Sequence, residues 1–236
     1  MQKVMVINGS PRIEKGNTAL ILNPFIEGMK EAGASVDLVY TKKMKIRGCM
    51  GEFQCWYEKI GVCMHNDDMN DLYPKLRETD ILVLATPIYI PLPGEMQNLI
   101  NRLCPLVEPV LEFRNGRTRA RLHKNVRISK FVLVGTGGWW EIGNFDTLLR
   151  IVEELALNTN TEFTGAVIRP HSSLMRYENE NTDRVNKALR EAGRQLVKEG
   201  RFSRATLDAI SEPLISEEEY RRILNKDYED ARGNQK

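Results

Sequence analysis

Three runs of this chain, Lys3 to Asn8 (KVMVIN), Asp80 to Thr86 (DILVLAT) and Lys130 to Thr136 (KFVLVGT), are apolar at nearly every position. A strand with one wet face alternates, whereas a continuously apolar one is covered on both faces, as in a parallel sheet between helices. Ser35 to Tyr40 (SVDLVY) alternates, and Glu162 to Ile168 (EFTGAVI) also reads as a strand, which makes five. Between them, helices are predicted over Asn17 to about Ala32, Leu92 to Leu103, Asp146 to Leu157 and Asn181 to Glu199. In the second of these, Leu92, Met96, Leu99, Ile100 and Leu103 recur at helical spacing. Gly33 ends the first helix, because glycine tolerates the left-handed conformation after a last turn. Buried strands alternating with crossover helices predict an α/β protein whose open parallel sheet carries helices on both faces.

With 236 residues, the chain is expected to form one large domain with an appendage. The boundary is placed near Gly200, giving a domain over 1–200 and a helical extension over 201–236. That extension begins with Ser216 as a helix cap and Glu219 three residues later, a capping-box pattern, and turns highly charged towards a frayed end. Against 34 basic residues stand 32 acidic ones, so the net charge of +2 supplies no global field to recruit nucleic acid or an anionic membrane. No apolar run approaches the roughly 18 residues of a membrane span, and the chain enters a strand without a basic-then-apolar leader. A cytoplasmic protein with no nucleic-acid or membrane partner is expected. Four cysteines are too few for a disulfide framework, and the proximity of Cys49, Cys55 and Cys63 points to reduced thiols or a metal site.

Function is written in the loops that follow the strands, since ligands of such sheets bind at the strands' carboxyl ends. The first loop, "GSPRIEKGNT", joins a strand to a helix N-terminus, where free N–H groups and the helix dipole form an anion site. It is not a triphosphate loop, because Gly16 is followed by Asn17 rather than Lys, and it lacks the GxGxxG dinucleotide pattern. No CxxxxxR phosphatase loop starts at Cys49 or Cys55. Ser10, Arg12, Asn17 and Thr18 are candidates to surround one phosphate monoester, with Arg12 offering a matching fork. The loops Thr86 to Gly94 and Gly135 to Asn144 suit a planar group, because glycines let main chain approach a flat ring.

Four segments in register, "GSPRIEKGNT", "GCMGEFQCWYEKIGVCMHNDDM", "ATPIYIPLPGEMQNLINRL" and "GGWWEIGNFDTL", resemble the NADPH-dependent FMN reductase family of flavodoxin-like proteins, in particular its iron-sulfur flavoprotein branch. The resemblance covers roughly residues 1–200. It implies a flavodoxin-like three-layer sandwich with strand order 2-1-3-4-5, bound FMN, and a homodimer or homotetramer with the site near the subunit interface. By that similarity Ser10, Arg12, Asn17 and Thr18 hold the phosphate. Pro87, Ile88 and Tyr89 on the second loop, and Thr136, Gly137 and Gly138 on the third, belong to the ring, and Gly94 is also assigned to the cofactor. The expected function is transfer of electrons from NAD(P)H to a small acceptor: a quinone, a flavin, an iron chelate or a metal ion. The rivals are an iron-sulfur electron carrier fed by ferredoxin and a flavin-binding redox sensor without turnover. No acid–base residue is assigned, since the flavin carries the chemistry.

The branch's cluster segment has the pattern CxxCxxC followed by a fourth cysteine. Here Cys49, Cys55 and Cys63 fill three places and Glu52 stands in the second. A carboxylate is a poor substitute for thiolate, so neither an iron-sulfur cluster nor another metal site is expected. The cysteines remain open to two readings, a redox-active pair or small buried residues; Cys104 is read as core. Trp56, Tyr57 and the run His65 to Met69 are expected to wall the pocket, with His65 a polar surface residue rather than a proton donor. Arg114, Arg117, Arg119, Arg121, Lys124, Arg127 and Lys130 form a basic stretch without an acid. It is read as a solvated or intersubunit loop, with recognition of the NADPH 2′-phosphate as the rival. Trp139 and Trp140 either stack on the ligand or serve the core or interface.

Overall fold

A computed structural model describes residues 1–233. Its elements, in chain order, start with β1 (Lys3–Asn8), α1 (Asn17–Glu31), β2 (Ser35–Tyr40), a single turn α2 (Gln54–Tyr57), α3 (Met69–Glu78), β3 (Ile81–Pro87) and α4 (Gly94–Asn101). A hairpin of β4 (Val107–Arg114) and β5 (Arg117–Leu122) precedes β6 (Lys130–Thr136), α5 (Asp146–Thr159), β7 (Glu162–Arg169), α6 (Glu180–Lys198), α7 (Arg204–Ser211) and α8 (Glu217–Gly233).

The main sheet is parallel with order β2-β1-β3-β6-β7, the expected 2-1-3-4-5 once the inserted hairpin is set aside. Side-chain alternation splits each central strand between two cores. Met5, Ile7, Leu82, Leu84, Phe131 and Leu133 face the layer of α3, α4 and α5, where Leu72, Leu76, Met96, Leu99, Leu148 and Val152 meet them. Val4, Val6, Ile81, Val83, Val132 and Val134 face α1 and α6, against Leu22, Phe25, Met29, Leu189 and Leu196. That double coverage is why the three runs carry almost no polar residue.

Helix α1 is seated directly on α6. A Cβ at Gly28 would collide with the Arg190 carbonyl oxygen, and one at Gly193 with that of Phe25, so the two backbones touch where glycine alone fits. Past Ala32 the chain turns through Gly33 at φ +92°, the expected left-handed stop.

The basic stretch is not a loop. Its arginines stand at the end of β4, on β5 or just after the hairpin, and their counter-charges lie outside the stretch: Arg114 pairs with Glu112, Arg121 with Glu108 and Glu112, Arg117 and Arg119 with Glu154 of α5, and Arg127 with Asp80. Helix α3 also replaces part of the expected pocket wall, since Met69 and Leu72 sit fully in the core. Beyond Gly200, α7 and α8 pack back onto the domain, Ile210 and Tyr220 being buried. Ser216 Oγ accepts from Glu219 N at 3.2 Å, one arm of the expected capping box. Residues 234–236, at the end expected to fray, lie outside the described residues. Among the described residues no helix is long and apolar enough to cross a membrane.

Candidate cofactor site

The carboxyl ends of β1, β3 and β6 meet at a cavity of about 160 Å³, and the turn after β7 closes it with Ser172. Ten of the eleven residues expected at the cofactor line it: Ser10, Arg12, Asn17 and Thr18 from the first loop, Pro87, Ile88 and Tyr89 from the second, and Thr136, Gly137 and Gly138 from the third. Gly94 does not. It is the first residue of α4, with nothing within 4 Å of a Cβ there.

The first loop is shaped before any ligand arrives. Asn8 Oδ1 accepts from Ser10 N at 2.9 Å, Ser10 Oγ accepts from Arg12 N at 3.3 Å, and Ile13 N donates to Ser10 O at 3.0 Å, starting a short turn. At the N-cap of α1, Gly16 has no side chain to accept from the first helical N–H groups. A Cβ on Gly16 would strike Ser10 Oγ, so glycine keeps that hydroxyl in place. Two polar groups here are left over. Asn17 Oδ1 is buried without a partner, and the exposed Arg12 guanidinium makes no hydrogen bond or ion pair among the described residues. An uncapped helix start, a hydroxyl, an amide and an unpaired guanidinium together suit a phosphate monoester.

The other walls are tied to the first. Thr18 Oγ1 and Thr136 Oγ1 share a hydrogen bond of 2.8 Å, and Asn17 Nδ2 donates to Ser172 Oγ at 3.3 Å. Ser172 in turn donates to Gly137 O through N (2.8 Å) and Oγ (3.0 Å). Ile88 N donates to Thr136 O at 2.8 Å, which fixes the second loop before its cis Ile90–Pro91 bond. One end of the cavity is therefore polar, and the other is bounded by Pro87, Ile88, Tyr89 and bare glycine backbone.

The residues expected to wall this cavity do other work. Trp56 Nε1 donates to Cys104 O at 3.0 Å and its ring stacks on Phe53. His65 is buried, not a surface residue, and its Nε2 meets Gly48 O at 3.1 Å. Asp67 takes a bidentate grip from the buried Arg102 at 2.7 and 3.0 Å. Burial alone would raise the Asp67 carboxyl, but this fork and the Arg47 N–H hold it below the usual carboxylate range.

The cysteines remain free: Cys49 exposed, Cys55 buried, Cys63 and Cys104 partly buried. Burial pushes the Cys55 thiol up, and pushes Cys104 to about 12, where Cys55 and Cys49 add to the effect. Among the described residues no three of His, Cys, Asp or Glu come together as a metal site requires.

Residues 2–139 match the NADPH-dependent FMN reductase family. The chain belongs to that family. Its relatives include an iron-sulfur flavoprotein of Archaeoglobus fulgidus, 34% identical over 101 residues, or 42% of this chain and 48% of that one. The chain spans about half the length of the curated relatives it matches. In fold it is similar to an NAD(P)H:quinone oxidoreductase from Methanothermobacter marburgensis, at a TM-score of 0.58 and 16% identity over 83% of this chain and 96% of that one. An FMN-dependent NADH-azoreductase from Bacillus anthracis, solved in complex with FMN, gives the same score at 12% identity over 84% and 100%.

Ser172 escaped the sequence reading. It follows β7 in "RPHSSL", and the rule that ligands sit at the strands' carboxyl ends already pointed there.

Proposed function

We propose that this family member binds FMN in the cavity and acts as an oxidoreductase that takes electrons from NAD(P)H and delivers them to a small acceptor such as a quinone, a flavin, an iron chelate or a metal ion. The observation that carries the reading is a cavity polar at one end, with the uncapped α1, Ser10, Asn17 and unpaired Arg12, and lined by flat apolar groups and glycine backbone at the other. Bound FMN would supply the two-electron and one-electron redox chemistry that no side chain here can. The protein's share is position. Ser10, Arg12, Asn17 and Thr18 would hold the phosphate, and Pro87, Ile88 and Tyr89 would set one side of the ring. Thr136, Gly137 and Gly138 would set the other and keep water from it.

In this reading 1–200 is the FMN-binding domain, 201–236 is a helical extension and the protein works in the cytoplasm. Tyr89, Ile90, Trp139 and Ile142, in or next to the cavity loops, are 51, 101, 70 and 55% exposed, an apolar rim suited to a second subunit. A homodimer or homotetramer is proposed on that ground, to be checked by light scattering.

The deciding experiment is the absorption spectrum of protein purified anaerobically without added cofactor, followed by identification of the ligand that acid releases. Flavin bands with FMN in the supernatant support the reading. A colourless protein that takes up no added FMN refutes it. Likeness to iron-sulfur flavoproteins favours one rival, a carrier fed by ferredoxin, and stoichiometric iron and labile sulfide would support that rival. Tight FMN with negligible NAD(P)H oxidation would instead indicate a redox sensor.

A further inference from the structure

Tyr220 lies on α8, outside the residues 2–139 that match the family, yet it is only 4% exposed. Its hydroxyl donates to the Gly138 carbonyl at 2.5 Å. Gly138 lines the cavity, and a Cβ built on it would meet nothing within 4 Å, so its backbone is open to a ligand. The same stretch of backbone is held by contacts remote in sequence. Trp139 O accepts from His171 N at 3.2 Å, and Gly137 N donates to Arg169 O at 3.1 Å. The Tyr220 ring sits 5.7 Å from Trp140 and 5.8 Å from His171, and those two rings lie 4.6 Å apart. Three rings thus wedge α8 against the loop.

Arg169 adds a second tether. It is fully buried, and its Nη1 donates at 2.7 Å to the carbonyls of both Ile210 and Glu212, at the end of α7 and the start of the connection to α8. Its Nη2 meets His171 Nδ1 at 3.2 Å, and since a guanidinium only donates, His171 accepts and presents its proton on Nε2. The first link joins the C-terminal segment to the end of β7, and the second joins that end to His171, whose N–H holds Trp139 O.

We infer that Tyr220 is a positioning residue for the cofactor cavity: by holding the Gly138 carbonyl it fixes the glycine backbone against which the flat ligand lies, so docking of α8 and ligand binding are one linked equilibrium. This rests on the FMN reading above. Linkage is reciprocal, so a ligand that needs the docked loop must also hold α8 in place.

The test is FMN titrated into apo-protein, followed by flavin fluorescence, for wild type, Tyr220→Phe and Tyr228→Phe. Tyr228 lies on the same helix, 68% exposed, and serves as the control. Tyr220→Phe keeps the ring and loses the hydrogen bond, so FMN should bind about fivefold more weakly, the effect of one neutral hydrogen bond. The visible bands of the bound flavin should also shift, and Tyr228→Phe should change neither. In wild type, saturating FMN should slow trypsin cleavage after Arg221 and Arg222 severalfold, a readout that stands even if the variant folds poorly. Unchanged affinity and spectrum in Tyr220→Phe, or cleavage indifferent to FMN, overturns the inference and leaves the FMN reading intact. Wild-type protein that takes up no flavin overturns the FMN reading instead, and this inference with it.

Discussion

Replacing Arg12 by alanine separates the phosphate end of the cavity from the ring end. The Arg12 side chain is exposed and unpaired among the described residues, so its removal breaks no contact of the apo-protein and should leave apo stability unchanged. In the complex it would offer charge-assisted hydrogen bonds to a dianionic phosphate. Hydrogen bonds to charged groups contribute about 1.5–3 kcal/mol, and exposure to solvent places Arg12 at the lower end. A loss of about 1.5 kcal/mol is roughly tenfold in Kd. Riboflavin, which lacks the phosphate, should bind the variant and wild type alike. The assay is a pair of fluorescence titrations, FMN and riboflavin, each at low and high salt. Salt should weaken FMN binding in wild type more than in the variant, because screening acts on the contact that the variant lacks. Equal losses for both flavins would refute the phosphate assignment, since a general disturbance of the loop would then explain the data.

Three other substitutions probe the scaffold. Gly28→Ala drives a methyl group into the Arg190 carbonyl and should destabilise the fold by about 1–3 kcal/mol in urea unfolding, the usual cost of overpacking. His171 is held neutral by burial and by Arg169, its pKa lowered to about 4. The unfolded chain binds that proton near pH 6.5, so stability is fully present above about pH 6.5 and is lost as pH falls towards 4. His171→Asn, which tolerates the left-handed backbone at φ 37°, should flatten that slope in thermal melts across pH 7 to 4. Arg117→Ala should leave the ratio of NADPH to NADH activity unchanged, because that side chain pairs with Glu154 of α5 and does not line the cavity; a raised KM for NADPH alone would restore the 2′-phosphate role.

The parallel sheet was legible because its information is local. KVMVIN, DILVLAT and KFVLVGT state their own burial, and the helices between them state their period. The hairpin was not, since Val107 to Leu122 is half-buried and its alternation is broken by a register shift between Glu108 and Glu112. Its arginines looked unopposed because the carboxylates lie outside the stretch itself, Glu108 and Glu112 on β4 just before it and Glu154 on α5. Gly94 was counted with the second loop by its place in sequence, and the helix begins there instead. Ser172 and Tyr220 reach the cavity region from the far end of the chain, by hydrogen bonds whose partners lie 35 and 82 residues away.

The seat of α1 on α6 has a consequence for synthesis. At roughly 5–20 residues per second, α1 leaves the ribosome well before α6, which follows about 150 residues later. Until then the side of α1 at Gly28, where the Arg190 backbone seats, has no partner. A nascent chain stopped before residue 180 therefore holds the whole first loop and its ties to Thr136 and Ser172, but on an α1 that lacks the helix seated on it. The polar half of the pocket is encoded first but rides on a helix whose α6 seat is made last, so premature termination should yield aggregates rather than a partly competent flavin binder.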